Sequence, residues 1–267
     1  MVPTSVKYSL IGTSYNTVET IKPCLESIIH VLDTKNMELI ICDNESKDGT
    51  REAIEQFAPF FMKLKVISKK STRGKGRQIA FLNSSGQFLI QFDLDALYNE
   101  GLRKLFDWHE KHRPKYAVIA GNSIFPRNVL EDMGGWNDLN WSEDLDLWVR
   151  LTLAGSAKWY GYETNRNIHL VTKKDKLSKI SHRVKRRIRI LEDLFALHRI
   201  TLHGLIRRKG LSKKIPIYLL AKILSISERN VINISQYSRE YIIDKNSIDL
   251  GLEGETFIWY KNGFSLD

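Results

Sequence analysis

Cysteine is nearly absent from this sequence, with only Cys24 and Cys42 among 267 residues. The two stand in no Cys-x-x-Cys spacing and beside no histidine, which argues against a disulfide framework or a cysteine-held metal and leaves two buried thiols. Long apolar runs are missing too: none reaches the roughly 18 residues of a membrane span. Residues 1–5 lead into a strand-like run without the charged and apolar regions of a secretion signal. A cytoplasmic protein is expected, attached at most to the membrane from that side. There is neither an internal repeat nor a low-complexity tract. With 42% hydrophobic and 27% charged residues, the chain can build one substantial core and a smaller appendage.

Acidic residues are scarce in one place only. The net charge is +10, and residues 172–214 hold fifteen Lys or Arg against Asp175, Glu192 and Asp193, a local balance of +12 that leaves −2 for the remainder. The partner of this basicity belongs to that segment. Within it Ile180, Val184, Ile188, Leu191, Phe195, Leu202 and Leu205 keep an approximately helical spacing, against a face carrying Arg183, Lys185, Arg186, Arg187 and Arg189. Such a basic amphipathic helix suits an anionic membrane surface. The competing reading is a helix packed on the preceding domain with its charges solvated.

Upstream, strand-like and helix-like segments alternate. Residues 7–11, 38–42, 64–67 and 88–92 are short apolar runs bounded by turn residues and read as buried strands. Ile21, Leu25, Ile28, Ile29 and Leu32 have helical spacing, which requires Pro23 to lie in the first turn. Ala53, Ile54 and Phe57, then residues 77–82, then Leu102, Leu105, Phe106 and Trp108 mark further helices. A strand is expected at 116–120 and a helical turn at 126–133, ended by Gly134 and Gly135. Ser142 caps a helix with Leu145, Val149 and Thr152 on one face, and a last strand is expected at 168–171. This order gives an α/β fold with a mostly parallel sheet flanked by helices.

Ligands of open α/β sheets bind beyond the carboxyl ends of the strands, and the residues there carry chemistry. Gly12-Thr13-Ser14-Tyr15-Asn16 offers hydroxyls and an aromatic ring to a base. Asp43, the first residue past the second strand and level with Tyr15, can accept from a ring N–H. Asp48 with Thr50 reads as a capping turn. Arg73 and Lys75, ahead of the helix that starts at Arg77, are mobile cations suited to a diphosphate. Asp93 and Asp95 leave the fourth strand as an Asp-x-Asp, able to hold Mg2+ or Mn2+ through oxygen. Glu143 and Asp144 fall in the first turn of a helix, whose dipole would lower a carboxylate's pKa and keep it ionised.

Four features in this order carry a resemblance: Thr13 to Asn16; Asp43-Asn44-Glu45-Ser46-Lys47-Asp48-Gly49-Thr50; Arg77 nine residues before Gly86 with Asp93-Leu94-Asp95 following; and Gly134-Gly135-Trp136 before Glu143-Asp144. Over about residues 7–171 the chain resembles the family 2 glycosyltransferases of the GT-A fold. The resemblance implies a Rossmann-like catalytic domain at 1–171; past it the resemblance weakens, and the charge and apolar spacing give a basic, mainly helical extension at 172–267. It implies that Thr13, Tyr15 and Asp43 line the base pocket, that Asp93 contacts the nucleotide sugar, and that Asp95 ligates the metal. Asp144 would be the base of an inverting transfer, from a UDP- or GDP-sugar to a lipid-linked or glycan hydroxyl, with Lys75 or Arg77 stabilising the departing diphosphate. His169 is the candidate third metal ligand. The chain departs from the family at Ala96, often Asp, and at Gln78, often Asn, which we read as substrate tuning. A nucleotidyltransferase would instead place a cationic phosphate loop after the first strand, where Gly12 to Asn16 has no cation. A nucleic-acid-binding protein would explain the basic segment but not Asp43, Asp93, Asp95 and Asp144, so no nucleic acid is expected as partner.

Overall fold

The computed structural model describes residues 7–160 and 162–168. Strands β1 (Tyr8–Ser14), β2 (Met37–Asp43), β3 (Lys63–Ser68) and β4 (Phe88–Gln91) are connected through helices α1 (Val18–Val31), α2 (Thr50–Glu55) and α3 (Arg73–Leu82). After them come β5 (Ala96–Tyr98), α4 (Glu100–His112), β6 (Ala117–Ile119), β7 (Ile124–Pro126) and α5 (Arg127–Asp132). The described part closes with α6 (Glu143–Leu153), β8 (Ala157–Trp159) and β9 (Asn165–Asn167).

Seven strands form one sheet in the order β3-β2-β1-β4-β7-β6-β8, in which β7 runs against β4 and β6 while the other pairings are parallel. β5 and β9 make a separate antiparallel pair. The mostly parallel α/β sheet is therefore as expected, and the strand order has a functional consequence. The chain leaves β1 toward β2 and β3, then returns to add β4 on the other side of β1. That reversal opens a crevice at the carboxyl ends of β1 and β4. Each sheet face buries its own core. Leu10, Leu39, Ile41 and Ile90 pack with Ile21, Leu25 and Ile28 of α1, whereas Ile11, Ile40 and Leu89 pack with Phe81, Leu130, Leu147 and Leu151 of α3, α5 and α6. Coverage on both faces is why β2 reads as a continuous apolar run rather than an alternating one.

Several expectations are corrected. Pro23 lies in the second turn of α1, not the first, and α1 continues through it to Val31. β1 extends to Ser14 because it pairs with β2 over seven residues, Ser14 opposite Asp43. α3 begins at Arg73, four residues before the predicted start, with Thr72 as its N-cap accepting from Lys75 N at 3.1 Å. The inner face of α6 is not the Leu145 face: Leu145 is exposed, and Glu143, Asp146, Leu147, Arg150 and Leu151 are buried. The last described strand is β9, ahead of the predicted 168–171. His169, the boundary at 171 and the basic extension lie outside the described residues. Among the described residues no helix is long and apolar enough to cross a membrane.

Candidate active site

At the carboxyl ends of β1 and β2 two loops are tied to one another. Asp43, 1% exposed, accepts at Oδ1 from Ser14 Oγ (2.6 Å) and Ser46 Oγ (2.6 Å), and at Oδ2 from Ser46 N (2.8 Å). A carboxylate offers about four acceptor positions, so one is left for a ligand N–H. Asn16, with φ of 50°, donates its N–H to Ser46 Oγ and accepts from Lys47 N. Tyr15, 59% exposed, stands beside this anchored turn, and Thr13 is half-buried in β1 below it. Ser14, rather than the expected Tyr15, is the residue level with Asp43 and bonded to it, while Thr13 lies with Cys42 on the opposite face of the sheet, toward Gly76 of α3. Asp48 does more than cap: besides Thr50 N (3.1 Å) and Thr50 Oγ1 (2.5 Å), it accepts from Val18 N (3.1 Å) at the start of α1.

Arg77 is the centre of the second half of the site. α3 is wedged against the loop before α6: Gly74 N donates to Leu139 O at 2.9 Å, and a Cβ at Gly74 would stand 2.0 Å from Asn137 O. Only glycine allows this approach, and it brings the next turn of α3 between two carboxylates. Arg77 Nη2 donates to Asp93 Oδ1 at 2.7 Å and Nη1 donates to Asp144 Oδ1. Trp136 Nε1 donates to the same Asp144 oxygen at 3.0 Å. Arg77 is 1% exposed, and because a buried guanidinium must be paired, Asp93 and Asp144 pair it. Lys75 stays exposed, while Arg73 stacks its guanidinium 5.0 Å from the Trp141 ring centre.

The electrostatics also differ from the helix-dipole expectation. Burial pushes the Asp144 carboxyl above its ordinary range; Arg77 opposes the shift, Asp93 adds to it, and Trp136 opposes it. Desolvation therefore outweighs the dipole. Its neighbour Glu143 is pushed up to about 8 by burial and by the adjacent Asp144. Glu143 Oε1 stands 3.7 Å from Arg73 Nε and 3.8 Å from Arg77 Nη2, and Oε2 is buried without a hydrogen-bond partner.

Beyond β4, the Asp93 side chain is 57% exposed, and Asp95 is half-buried with Oδ2 accepting from Asn167 Nδ2 at 3.1 Å. Among the described residues no group of three or more His, Cys, Asp or Glu side chains converges as a metal cage. One or two strand-end carboxylates nevertheless fit a hard cation that fills its shell with substrate phosphate and water. A groove of about 650 Å³ lined by Ile29, His30, Ala53, Phe57 and Phe60 lies away from all of these carboxylates.

The sequence reading gave no role to the Trp136 side chain or to Arg150, and read Gln78 as substrate tuning. Arg150 is fully buried and donates from Nη1 to Met133 O, from Nη2 to Gly135 O (both 2.7 Å) and from Nε to Asp146 Oδ2 (3.0 Å). Asn137 Nδ2 donates to the same Asp146 oxygen at 2.7 Å. Asp146 is thereby a buried structural anchor. The Asp146–Arg150 spacing of four on a helix was the available signal.

A family model, "Glycosyl transferase family 2", matches residues 9–153, more than half of the chain. Among curated relatives, the putative glycosyltransferase EpsE of Bacillus subtilis is 33% identical over 126 residues, covering 45% of this chain and 44% of that protein. The UDP-Glc:alpha-D-GlcNAc-diphosphoundecaprenol beta-1,3-glucosyltransferase WfgD of Escherichia coli is 29% identical over 139 residues, 49% of this chain and 54% of that one. The chain thus spans about half the length of these relatives. Among solved structures, the mannosyltransferase PcManGT of Pyrobaculum calidifontis with GDP-Man and Mn2+ superposes with a TM-score of 0.58 at 16% identity, covering 86% of this chain and 77% of that one. S. aureus TarS with UDP-GlcNAc gives 0.54 at 18% identity, covering 80% and 79%. The sheet order, the strand-end carboxylates and the family match agree: this chain has the GT-A fold and belongs to glycosyl transferase family 2.

Proposed function

We propose that the chain is an inverting glycosyltransferase that moves a sugar from a UDP- or GDP-sugar to an acceptor hydroxyl. The observation that carries this reading is the buried guanidinium of Arg77 shared between Asp93 and Asp144, which sets a donor-side carboxylate and a helix-borne carboxylate on either side of one group. The Tyr15 ring stacks on the base, and the remaining acceptor position of Asp43 takes the ring N–H that uracil and guanine both possess. Lys75 meets the diphosphate and Asp93 the sugar. Asp95, with His169 as its candidate companion, would hold Mg2+ or Mn2+, which when bound offsets charge on the departing diphosphate. The acceptor oxygen bonds to the anomeric carbon as the carbon–phosphate oxygen bond breaks, and the hydroxyl proton goes to Asp144. A carboxyl raised by burial is suited to that task, because general bases work best with a pKa nearer the operating pH. The ligands named for PcManGT and TarS support the donor class, and the diphosphoundecaprenol in the name of WfgD supports a lipid-linked acceptor. The +12 segment at 172–214 would hold the enzyme against the anionic cytoplasmic membrane face where such an acceptor is presented.

Two variants test the reading. Asp144→Asn keeps shape but loses proton acceptance, so turnover on a panel of nucleotide sugars should fall roughly 100-fold or more with donor affinity little changed. Asp95→Ala should abolish the Mn2+-dependent part of UDP or GDP binding measured by calorimetry. Near-normal turnover of Asp144→Asn, or unchanged metal-dependent affinity in Asp95→Ala, would remove the corresponding residue from the site.

A further inference from the structure

The turn that delivers Trp136 to Asp144 is held by side chains from two other elements. α5 ends in two left-handed glycines, Gly134 and Gly135, with φ of 71° and 72°. Gly135 N donates to Leu130 O at 2.9 Å and Gly134 N to Glu131 O at 3.0 Å, the paired bonds of a Schellman termination. This arrangement leaves the carbonyls of Met133, Gly134 and Gly135 pointing out of the helix. Arg150 of α6 takes the first and third. Gln78 of α3 takes the second: its Nε2 donates to Gly134 O at 3.2 Å, while its Oε1 accepts from Trp136 N at 2.8 Å. The fit is close, since a Cβ at Gly135 would fall 2.0 Å from Gln78 Oε1. One residue further along α3 from Arg77, the same helix therefore fixes both groups that donate to Asp144 Oδ1, the Arg77 guanidinium and the Trp136 indole. Arg150 holds the carbonyl side of the same Gly135–Trp136 peptide whose N–H meets Gln78, and the indole, 3% exposed, packs with ring centres 5.5 Å from Phe125 and 6.3 Å from Phe81.

We propose that Gln78 is a positioning residue for the proton acceptor: by clamping the Gly134–Trp136 backbone through both ends of its amide, it holds the Trp136 N–H on Asp144 Oδ1 and so fixes the orientation of that carboxylate. This rests on Asp144 serving as the base, and it changes the reading of Gln78 from substrate tuning to support of the catalytic carboxylate. A hydroxyl-directed carboxylate that is free to rotate loses the geometry proton transfer requires, so the cost appears in turnover rather than in donor binding.

The test compares Gln78→Leu, Gln78→Glu, Trp136→Phe and the Gln78→Leu/Trp136→Phe double variant, with nucleotide-sugar turnover and Mn2+-dependent UDP or GDP calorimetry as readouts. Gln78→Leu should lower kcat about 10-fold with donor KM and nucleoside diphosphate affinity unchanged. Gln78→Glu, which keeps the acceptor for Trp136 N, should fall between it and wild type, and it carries the test if the leucine variant does not fold. The double variant should be no slower than Trp136→Phe alone, because both remove one contact. The groups facing Asp144 are Arg77 and Arg73 from α3, Asp93 beyond β4, Glu143 on its own helix, and the Trp136 N–H. With the charged groups unchanged, loss of the N–H bond favours the protonated carboxyl, so the acid limb of the kcat profile should move to higher pH in Gln78→Leu. A full kcat with an unmoved acid limb, or additive losses in the double variant, would overturn the proposal even where Asp144→Asn is inactive. Failure of wild-type protein to turn over any nucleotide sugar, or full turnover by Asp144→Asn, would instead overturn the reading on which it rests.

Discussion

Glu143 is a carboxyl group that folding makes harder to ionise. Its pKa rises from the ordinary 4.5 to about 8 because it is buried beside Asp144. Between those values the folded chain binds more protons than the unfolded one, so this group makes stability fall as pH rises from about 4.5 to about 8. Glu143→Gln removes the titration while keeping shape. Its melting temperature should exceed that of wild type by about 3 °C or more near pH 8, and match it near pH 4, in a thermal scan across pH. An increment that does not vary with pH would mean the carboxyl ionises freely. None of this was legible from the sequence, where Glu143 is simply an acidic residue in a helix's first turn. Burial reverses the expected sign, and burial is set by α3 and the loop before α6, not by α6 itself.

At the scale of elements, α4 shows the opposite titration. His109 on its inner face is fully buried, its Nδ1 2.9 Å from Tyr8 Oη of β1 and its ring centre 4.7 Å from that of Phe88 of β4. Burial lowers its pKa from 6.5 to about 4; Glu110 opposes the shift and Lys7 adds to it. The unfolded chain gains this proton below about 6.5 while the folded one does not until about 4, so stability is lost as pH falls through that window. His109→Leu should lower the urea midpoint at pH 7.5 through lost ring packing, yet flatten its decline between pH 6.5 and pH 4.5. An unchanged slope would assign the acid sensitivity to other groups. Long elements were readable because their apolar spacing is local: α1, α4 and the four parallel strands all lie where the pattern puts them. β5, β7, β8 and β9 went unread since three residues each cannot display a period, whereas β6, equally short, was read from the longer apolar run at 116–120 around it. The early start of α3 was hidden by Gly74 and Gly76, residues of low helix propensity, one of which is required by contact with a loop more than 60 positions away.

For the whole molecule, the charge asymmetry leads to a test that needs no knowledge of the sugar. Each Lys or Arg near an anionic surface contributes about 1 kcal/mol, so even part of the +12 excess at 172–214 would support the proposed attachment. The protein should sediment with anionic but not neutral vesicles, less so at high salt, and less when Arg183, Lys185, Arg186 and Arg187 are replaced by Gln. Protein left in the supernatant with anionic vesicles at low salt would turn the search to soluble acceptors. The sequence by itself determined the fold class and the position of Asp43, Asp93 and Asp144 at element ends, because hydrophobic period and turn chemistry act over a few residues. The tertiary structure alone decided that Arg77 serves Asp93 and Asp144 instead of solvent, across separations of 16 and 67 residues, and that the Trp136 indole meets the same carboxylate oxygen. Those assignments depend on which side chains burial forces to share a partner, and no local spacing encodes that.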